Sequence, residues 1–218
     1  MQVSSGMNAT ETDLQLRNGI VDSTTKFYNE TFQAGGKMND PALLQYFVDH
    51  TNGAIEWLKQ FDIDLGDLTT LGGMSLARTH RPTDTSPIGT YLVKKLDTAV
   101  QNAGIQIQTE SEVTEILRIE NGYRVIGAQN GESFEFDCRN VILTTGEFGA
   151  SKEMIQQYAG FKTTNHEGAT GDVLKLAKSL DAQLTQLELV QIHPTVQQDQ
   201  PHTYLIGETV RAMMENVL

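Results

Sequence analysis

Residues 140–149 read NVILTTGEFG, and this stretch limits the fold more than any other. Val141, Ile142 and Leu143 follow one another without a polar break, and the chain then passes into threonine and glycine. A surface helix or a half-buried strand would interrupt such a run with polar residues. An unbroken run bounded by glycine suits a strand covered on both faces, as in a mostly parallel sheet. Ligands in α/β sheets sit at the carboxyl ends of strands, where Gly146 and Gly149 stand.

The flanking segments supply helices and a meander. Residues 1–38 are polar and Gly-rich, and only STTKFYNETFQ suggests a short helix. Asn39-Asp40-Pro41 marks a helix start, a capping side chain followed by proline in the first turn. Leu44, Phe47, Val48, Ile55 and Leu58 then recur at helical spacing, so a helix is expected from Pro41 to Phe61. LTTLGGMSLARTHRPTDTSPIGT reads as a connector. Ser86-Pro87 begins a second helix with Leu92, Val93, Leu96 and Val100 on one face, and Gly104 is placed to end it. IQIQTES alternates as a short strand. EILRIENGYRVIGAQNG reads as a β-hairpin, with Asn121-Gly122 suited to a tight primed turn, and ESFEFDC adds a further strand. GDVLKLAKSLDA is a last helix. The order of elements is that of an α/β or α+β protein.

The 218 residues suffice for one large domain or two small ones, with a real core. A formal charge of −12 disfavours nucleic acid and anionic lipid, so neither is expected as a partner. No apolar run approaches the length of a membrane span. The N-terminus lacks the basic and apolar regions of a signal peptide. Cys138 is the sole cysteine, which fits a reducing compartment and a cytoplasmic location. The five histidines are scattered, and no HxxxH or CxxC spacing calls for a metal.

Several stretches carry candidate chemistry, each with a plainer alternative. SSGMN suits close approach of backbone to a ligand, or a flexible tail. HEGATGDVLKLA sets two glycines and Thr170 before a helix whose N-terminus suits a phosphate or carboxylate, or is simply capped. Arg78, His80 and Arg81 in RTHRP read as a solvated loop paired with nearby carboxylates. His193 follows the apolar LELVQI and suits a carboxylate ligand or a structural role. Glu208 and Arg211 are three apart, neighbours on one face if helical, and read as a proton relay or a surface ion pair.

In order along the chain, SSGMNATET, NDPALLQYFVDH, GGMSLARTHRPTD, VILTTGEFG, EGATGDVLKLAKSLDAQL, QIHPT and GETVR resemble the flavoprotein subunit of the soluble fumarate reductases. These are of the flavocytochrome c type. The wider family also holds fumarate reductase/succinate dehydrogenase flavoproteins and 3-ketosteroid dehydrogenases. The likeness covers nearly all of residues 1–211. It implies a partial FAD-binding Rossmann-like domain with an inserted helical and β-meander clamp-like region. Residues 1–38 would be an FAD-binding segment, 39–140 the insertion, and 141–218 the return to the FAD-binding domain with the start of the substrate region. It further implies non-covalent FAD, hydride transfer from flavin N5 to an alkene carbon of fumarate or a related α,β-unsaturated carboxylate, and protonation of the other carbon by an arginine acid.

Residue by residue, the resemblance assigns His193 to the substrate carboxylate, Glu208 to substrate contact and proton delivery, and Arg211 to the outer end of that path. Ser4, Ser5 and Gly6 would lie beside the flavin, and Val113 at the adenine end. Thr144, Thr145 and Gly146 would pack on the cofactor, and Asp172 would lie near the flavin. Two positions depart from the pattern. Glu147 replaces a second glycine, and Gly207 replaces a threonine, which opens the substrate beyond fumarate to urocanate or acrylate-type acids. GxGxxG is absent. The arginine acid, a second substrate histidine and a second substrate arginine are not found either. The chain is therefore expected to be a fragment that holds FAD weakly or not at all, lacks turnover alone and self-associates through incomplete faces. The alternative is a non-catalytic remnant binding a partner chain or a carboxylate. The electron donor stays open.

Overall fold

The computed structural model describes residues 5–71, 73–158, 163–192, 196–197 and 204–205. They divide between two compact units, one within residues 1–105 and one within 106–206.

The first unit holds β1 (Met7–Asn8), α1 (Asp13–Arg17), α2 (Thr24–Ala34), α3 (Pro41–Lys59), β2 (Asp67–Thr69), β3 (Thr79–Arg81) and α4 (Ile88–Asn102). Local chemistry starts each early helix. Thr12 and Gln15 form a reciprocal capping box on α1. The Ser23 hydroxyl accepts from Lys26 N on α2, and Asp40 Oδ1 accepts from Leu43 N at 2.9 Å on α3, with Pro41 in its first turn. Helix α4 ends in a Schellman motif. Gly104 takes φ +67°, its N–H donates to Gln101 O, and Ile105 N donates to Val100 O.

The periodicity of α3 appears directly in its packing. Leu44, Val48, Thr51, Ile55 and Leu58 are buried along one face. Leu44 and Val48 meet Phe27 of α2, with Tyr28, Phe32 and Met74 around them. Ile55 and Leu58 join Ala9, Ile63, Leu65 and Ile88 in a second cluster. Each such aliphatic burial stabilises by about 2 kcal/mol. Phe47, expected on the buried face, is 48% exposed, because it stands on the flank and touches only the edge of that core, 5.9 Å from the Phe27 ring. The expected connector is not free of structure. It contributes β2 and β3, which with β1 make an antiparallel sheet of order β1-β3-β2.

The second unit is led by a meander: β4 (Ser111–Ile119), β5 (Gly122–Gln129) and β6 (Glu132–Cys138), all antiparallel. Ile116 and Val125 are paired across the ladder and both buried. The expected hairpin is present, but Ile119 pairs with Gly122, so its two-residue turn is Glu120-Asn121. The Asn-Gly turn with both residues at positive φ is the next one, Asn130 (φ +52°) and Gly131 (φ +86°). Then follow α5 (Lys152–Tyr158), α6 (Asp172–Ser179), and β7 (Val196–Gln197) paired with β8 (Tyr204–Leu205).

Two expected strands do not form among the described residues. IQIQTES stays outside the ladder until Ser111, and Ile107 is 57% exposed. Residues 140–146 make no strand, and Ile142 is 86% exposed. A strand needs a neighbour to take its N–H and C=O groups. Every ladder among the described residues joins other segments. The mixture of helix and sheet stands as expected. Among the described residues no helix is long and apolar enough to cross a membrane.

Candidate cofactor site

In the first unit, Ser5 and Gly6 lead into β1. A Cβ on Gly6 would lie 2.6 Å from His80 O and 2.6 Å from the Thr79 methyl, so only glycine lets this backbone lie against β3. Met7 pairs with His80 and Asn8 with Thr79. Thr79 Oγ1 donates to Asn8 Oδ1 at 2.6 Å, and Ala9 N donates to Arg78 O.

Beneath this strand lies a polar core. His80 is fully buried, and burial pushes its pKa below the ordinary value, so the ring is neutral. Its Nδ1 faces the Arg78 carbonyl at 2.8 Å, and a carbonyl can only accept. Nδ1 therefore carries the hydrogen, and Nε2 accepts from the Thr12 hydroxyl 2.9 Å away. Thr12 in turn accepts from Gln15 N. Arg78 is also fully buried. It donates from Nε and Nη2 to Asp22 and from Nη1 to Glu30, and its guanidinium lies 4.8 Å from the Phe27 ring centre. Burial alone would raise the Asp22 pKa, but the hydrogen bonds it accepts, that from Arg78 foremost with those from Ser23 N and Gln15 among the rest, together outweigh burial and hold the carboxyl at about 2. Glu30 is lowered in the same way, by Ser75 and Arg78 against burial. The expectation of a solvated RTHRP loop thus fails for Arg78 and His80, while the expected carboxylate pairing holds. The carboxylates sit 56 and 48 positions away in sequence, which concealed the burial.

In the second unit the structure brings two of the singled-out stretches together. Thr144, Thr145 and Gly146 are exposed, with Gly146 at φ +84°. Glu147 O accepts from Gly171 N at 3.1 Å, and Ala150 N donates to Ala169 O at 2.8 Å. The Glu147 carboxylate accepts from Gly149 N and from Asn165 Nδ2. The loop of residues 144–150 therefore lies on the loop of residues 165–171, which opens helix α6. Gly171 enters α6 with φ +79° and no side-chain cap. The first-turn Asp172 accepts from Thr170 Oγ1 at 2.7 Å and from Lys175 Nζ at 3.4 Å. Val113 stands on β4 opposite Gly127, next to a bulge that shifts the register before Glu115. Such bulges re-aim backbone groups.

Ser4, His193, Glu208 and Arg211 lie outside the described residues. Among the described residues no group of His, Cys, Asp and Glu is placed to hold a metal ion. Sequence reasoning missed Asn165, whose partner Glu147 was visible only as a departure from a glycine pattern.

Comparison with known proteins gives a consistent picture. The family described as FAD binding domain matches residues 3–213. The NADH:fumarate oxidoreductase of Klebsiella pneumoniae is 40% identical over 218 residues, covering 97% of this chain and 23% of that protein. A fumarate reductase (cytochrome) of Shewanella frigidimarina is 32% identical over 200 residues, covering 88% of this chain and 35% of that one. The solved open conformation of a flavocytochrome c3 fumarate reductase superposes with a TM-score of 0.87 at 30% identity, over 96% of this chain and 38% of that chain. The chain thus spans well under half the length of these relatives. From glycine-led strand to helix α6, it belongs to the FAD-binding domain family, and it is similar to the fumarate reductase flavoproteins within it.

Proposed function

We propose that this chain supplies cofactor-contacting loops of an FAD-dependent reductase acting on fumarate or a related α,β-unsaturated carboxylate. The observation that carries the reading is the union of the Thr144–Gly146 loop with the loop opening α6, which leaves hydroxyls, free backbone and a carboxylate within one unit. Residues 1–38 and 141–218 belong to the FAD-binding part in this reading, and 39–140 to the insertion.

The described residues fit part of an FAD molecule. The Thr144 and Thr145 hydroxyls, the Gly146 backbone and the Asp172 carboxylate suit ring edges and ribose hydroxyls. They do not suit a diphosphate. The N-terminus of α6 faces its own Asp172 carboxylate, which would repel phosphate and already uses the helix dipole. The 218 residues contain no GxGxxG. Bound FAD would supply hydride to the alkene. The protein's share in this unit is to orient the ring and to exclude alternatives by its hydrogen bonds. His193 is proposed to hold the substrate carboxylate, Glu208 to contact the substrate and deliver protons, and Arg211 to feed protons to Glu208. FAD is taken as non-covalent.

The expected behaviour of the isolated chain is weak FAD binding and no turnover. An absorbance spectrum between about 300 and 550 nm, taken after loading with FAD and desalting, tests the first point. Fumarate, urocanate and acrylate assays with a reduced viologen test the second. A strong retained flavin band with fumarate reduction would overturn the assignment of weak binding. Absence of any FAD titration signal would overturn the cofactor reading itself.

A further inference from the structure

We propose that Glu147 is a positioning residue of the candidate cofactor site, joining its two loops before any ligand arrives. The inference rests on the FAD reading above and concerns a side chain that the family pattern would replace by glycine.

Glu147 makes three connections from one residue. Oε2 accepts from Gly149 N at 3.1 Å, Oε1 accepts from Asn165 Nδ2, and the backbone carbonyl accepts from Gly171 N at 3.1 Å. The first closes its own loop, and the other two cross to the loop that opens α6. The partners are neutral N–H groups, so the link is a directed hydrogen-bond clamp and not a surface ion pair. Glu147 itself is exposed, but two of its partners, Gly149 and Gly171, sit where no side chain fits. A Cβ on Gly149 would sit 1.7 Å from Asn165 Nδ2, and one on Gly171 would sit 2.8 Å from Phe148 Cβ and 2.9 Å from Met154 Sδ.

The clamp settles where the negative charge goes. With both carboxylate oxygens turned onto Gly149 and Asn165, the acid is engaged within the loops. The neighbouring face, Thr144 to Gly146, is left to hydroxyls and backbone. The clamp therefore fixes the loop and turns the carboxylate oxygens onto N–H groups of the loops, and ordering the loop beforehand removes part of the entropy cost of binding.

The test uses the full 218-residue chain and four variants: Glu147→Gln, Glu147→Ala, Asn165→Ala and the double Glu147→Ala/Asn165→Ala. NMR-detected amide exchange at Gly149 and Gly171 is read without FAD, with Ile116 and Val125 as controls for an intact meander. Exchange is expected to rise about tenfold in Glu147→Ala, less in Glu147→Gln, which keeps one acceptor, and no further in the double variant than in Glu147→Ala. FAD titration is expected to show a Kd raised about three- to tenfold in Glu147→Ala with the controls unmoved. Unchanged exchange at Gly149 and Gly171, additive effects in the double variant, or an unchanged Kd despite faster exchange would overturn the proposal. If wild type takes up no FAD, the cofactor reading falls and the positioning role falls with it, and faster exchange would then show only that the loops are joined.

Discussion

Arg78 and Asp22 meet side by side, with Nε 2.6 Å from Oδ2 and Nη2 2.7 Å from Oδ1, and neither side chain reaches solvent. A buried pair of this kind is costly to halve, because the remaining charge is left without a partner. Asp22→Asn and Arg78→Met should each destabilise the chain by about 3–5 kcal/mol. Urea denaturation followed by circular dichroism measures this, and a loss within the scatter of surface substitutions would contradict the assigned burial.

Stability should fall with acid over two separate pH ranges. His80 is neutral when folded, whereas the unfolded chain takes up that proton once pH falls below the ordinary value of 6.5, so stability declines there. Asp22 falls from an ordinary 3.8 to about 2 on folding, so its contribution is complete above 3.8 and disappears as pH drops through about 2. That second loss is on the order of 2 kcal/mol. Urea midpoints collected across this range should show both steps, and His80→Gln should abolish the upper one alone.

The two meander turns should differ in their tolerance of a methyl group. Gly131 has φ +86° with open space around it, so Gly131→Ala should cost about 1 kcal/mol through backbone strain. Gly122 has φ +148°, and a Cβ there would lie 2.1 Å from Cys138 O and 2.9 Å from the Arg139 Cα. Gly122→Ala should cost about 2 kcal/mol or more. Thermal melts of the two variants give the order, and the reverse order would refute the turn geometry.

Asp172 separates cofactor contact from helix support. Its charge at the start of α6 should stabilise the helix by only about 0.5 kcal/mol. If it also accepts from the cofactor, Asp172→Asn should lower FAD affinity about tenfold while the melting temperature barely moves. Thr144→Val and Thr145→Val should behave alike, since both residues are exposed. Equal losses of affinity and stability would reduce all three to structural residues.

What could be seen in the sequence follows from range. Helix α3 was legible because its cap, its first-turn proline and its apolar spacing are all local, and α4 was legible down to Gly104. The meander was legible as alternation, but its primed turn was assigned to Asn121-Gly122 when Asn130-Gly131 adopts it, since the register depends on both neighbouring strands. Strands β2 and β3 escaped because three polar-rich residues carry no period. The union of the loops around Glu147 and Gly171 was invisible for the same reason that Arg78 looked solvated: the partners are remote in sequence. The run at Val141–Leu143 shows the opposite failure, a strong local pattern without a paired neighbour among the described residues.

The Arg78 cluster also sets an order in time. Asp22 and Glu30 leave the ribosome well before the residue that pairs with both, and the loop that must close on each is 56 and 48 residues long. Until Arg78 emerges, Asp22 before α2 and Glu30 on α2 lack the cation they pair with, and strand β3 does not yet exist to receive β1. The nascent first unit should therefore remain sensitive to protease up to that point and become resistant soon after it, a late and cooperative closure governed by one guanidinium.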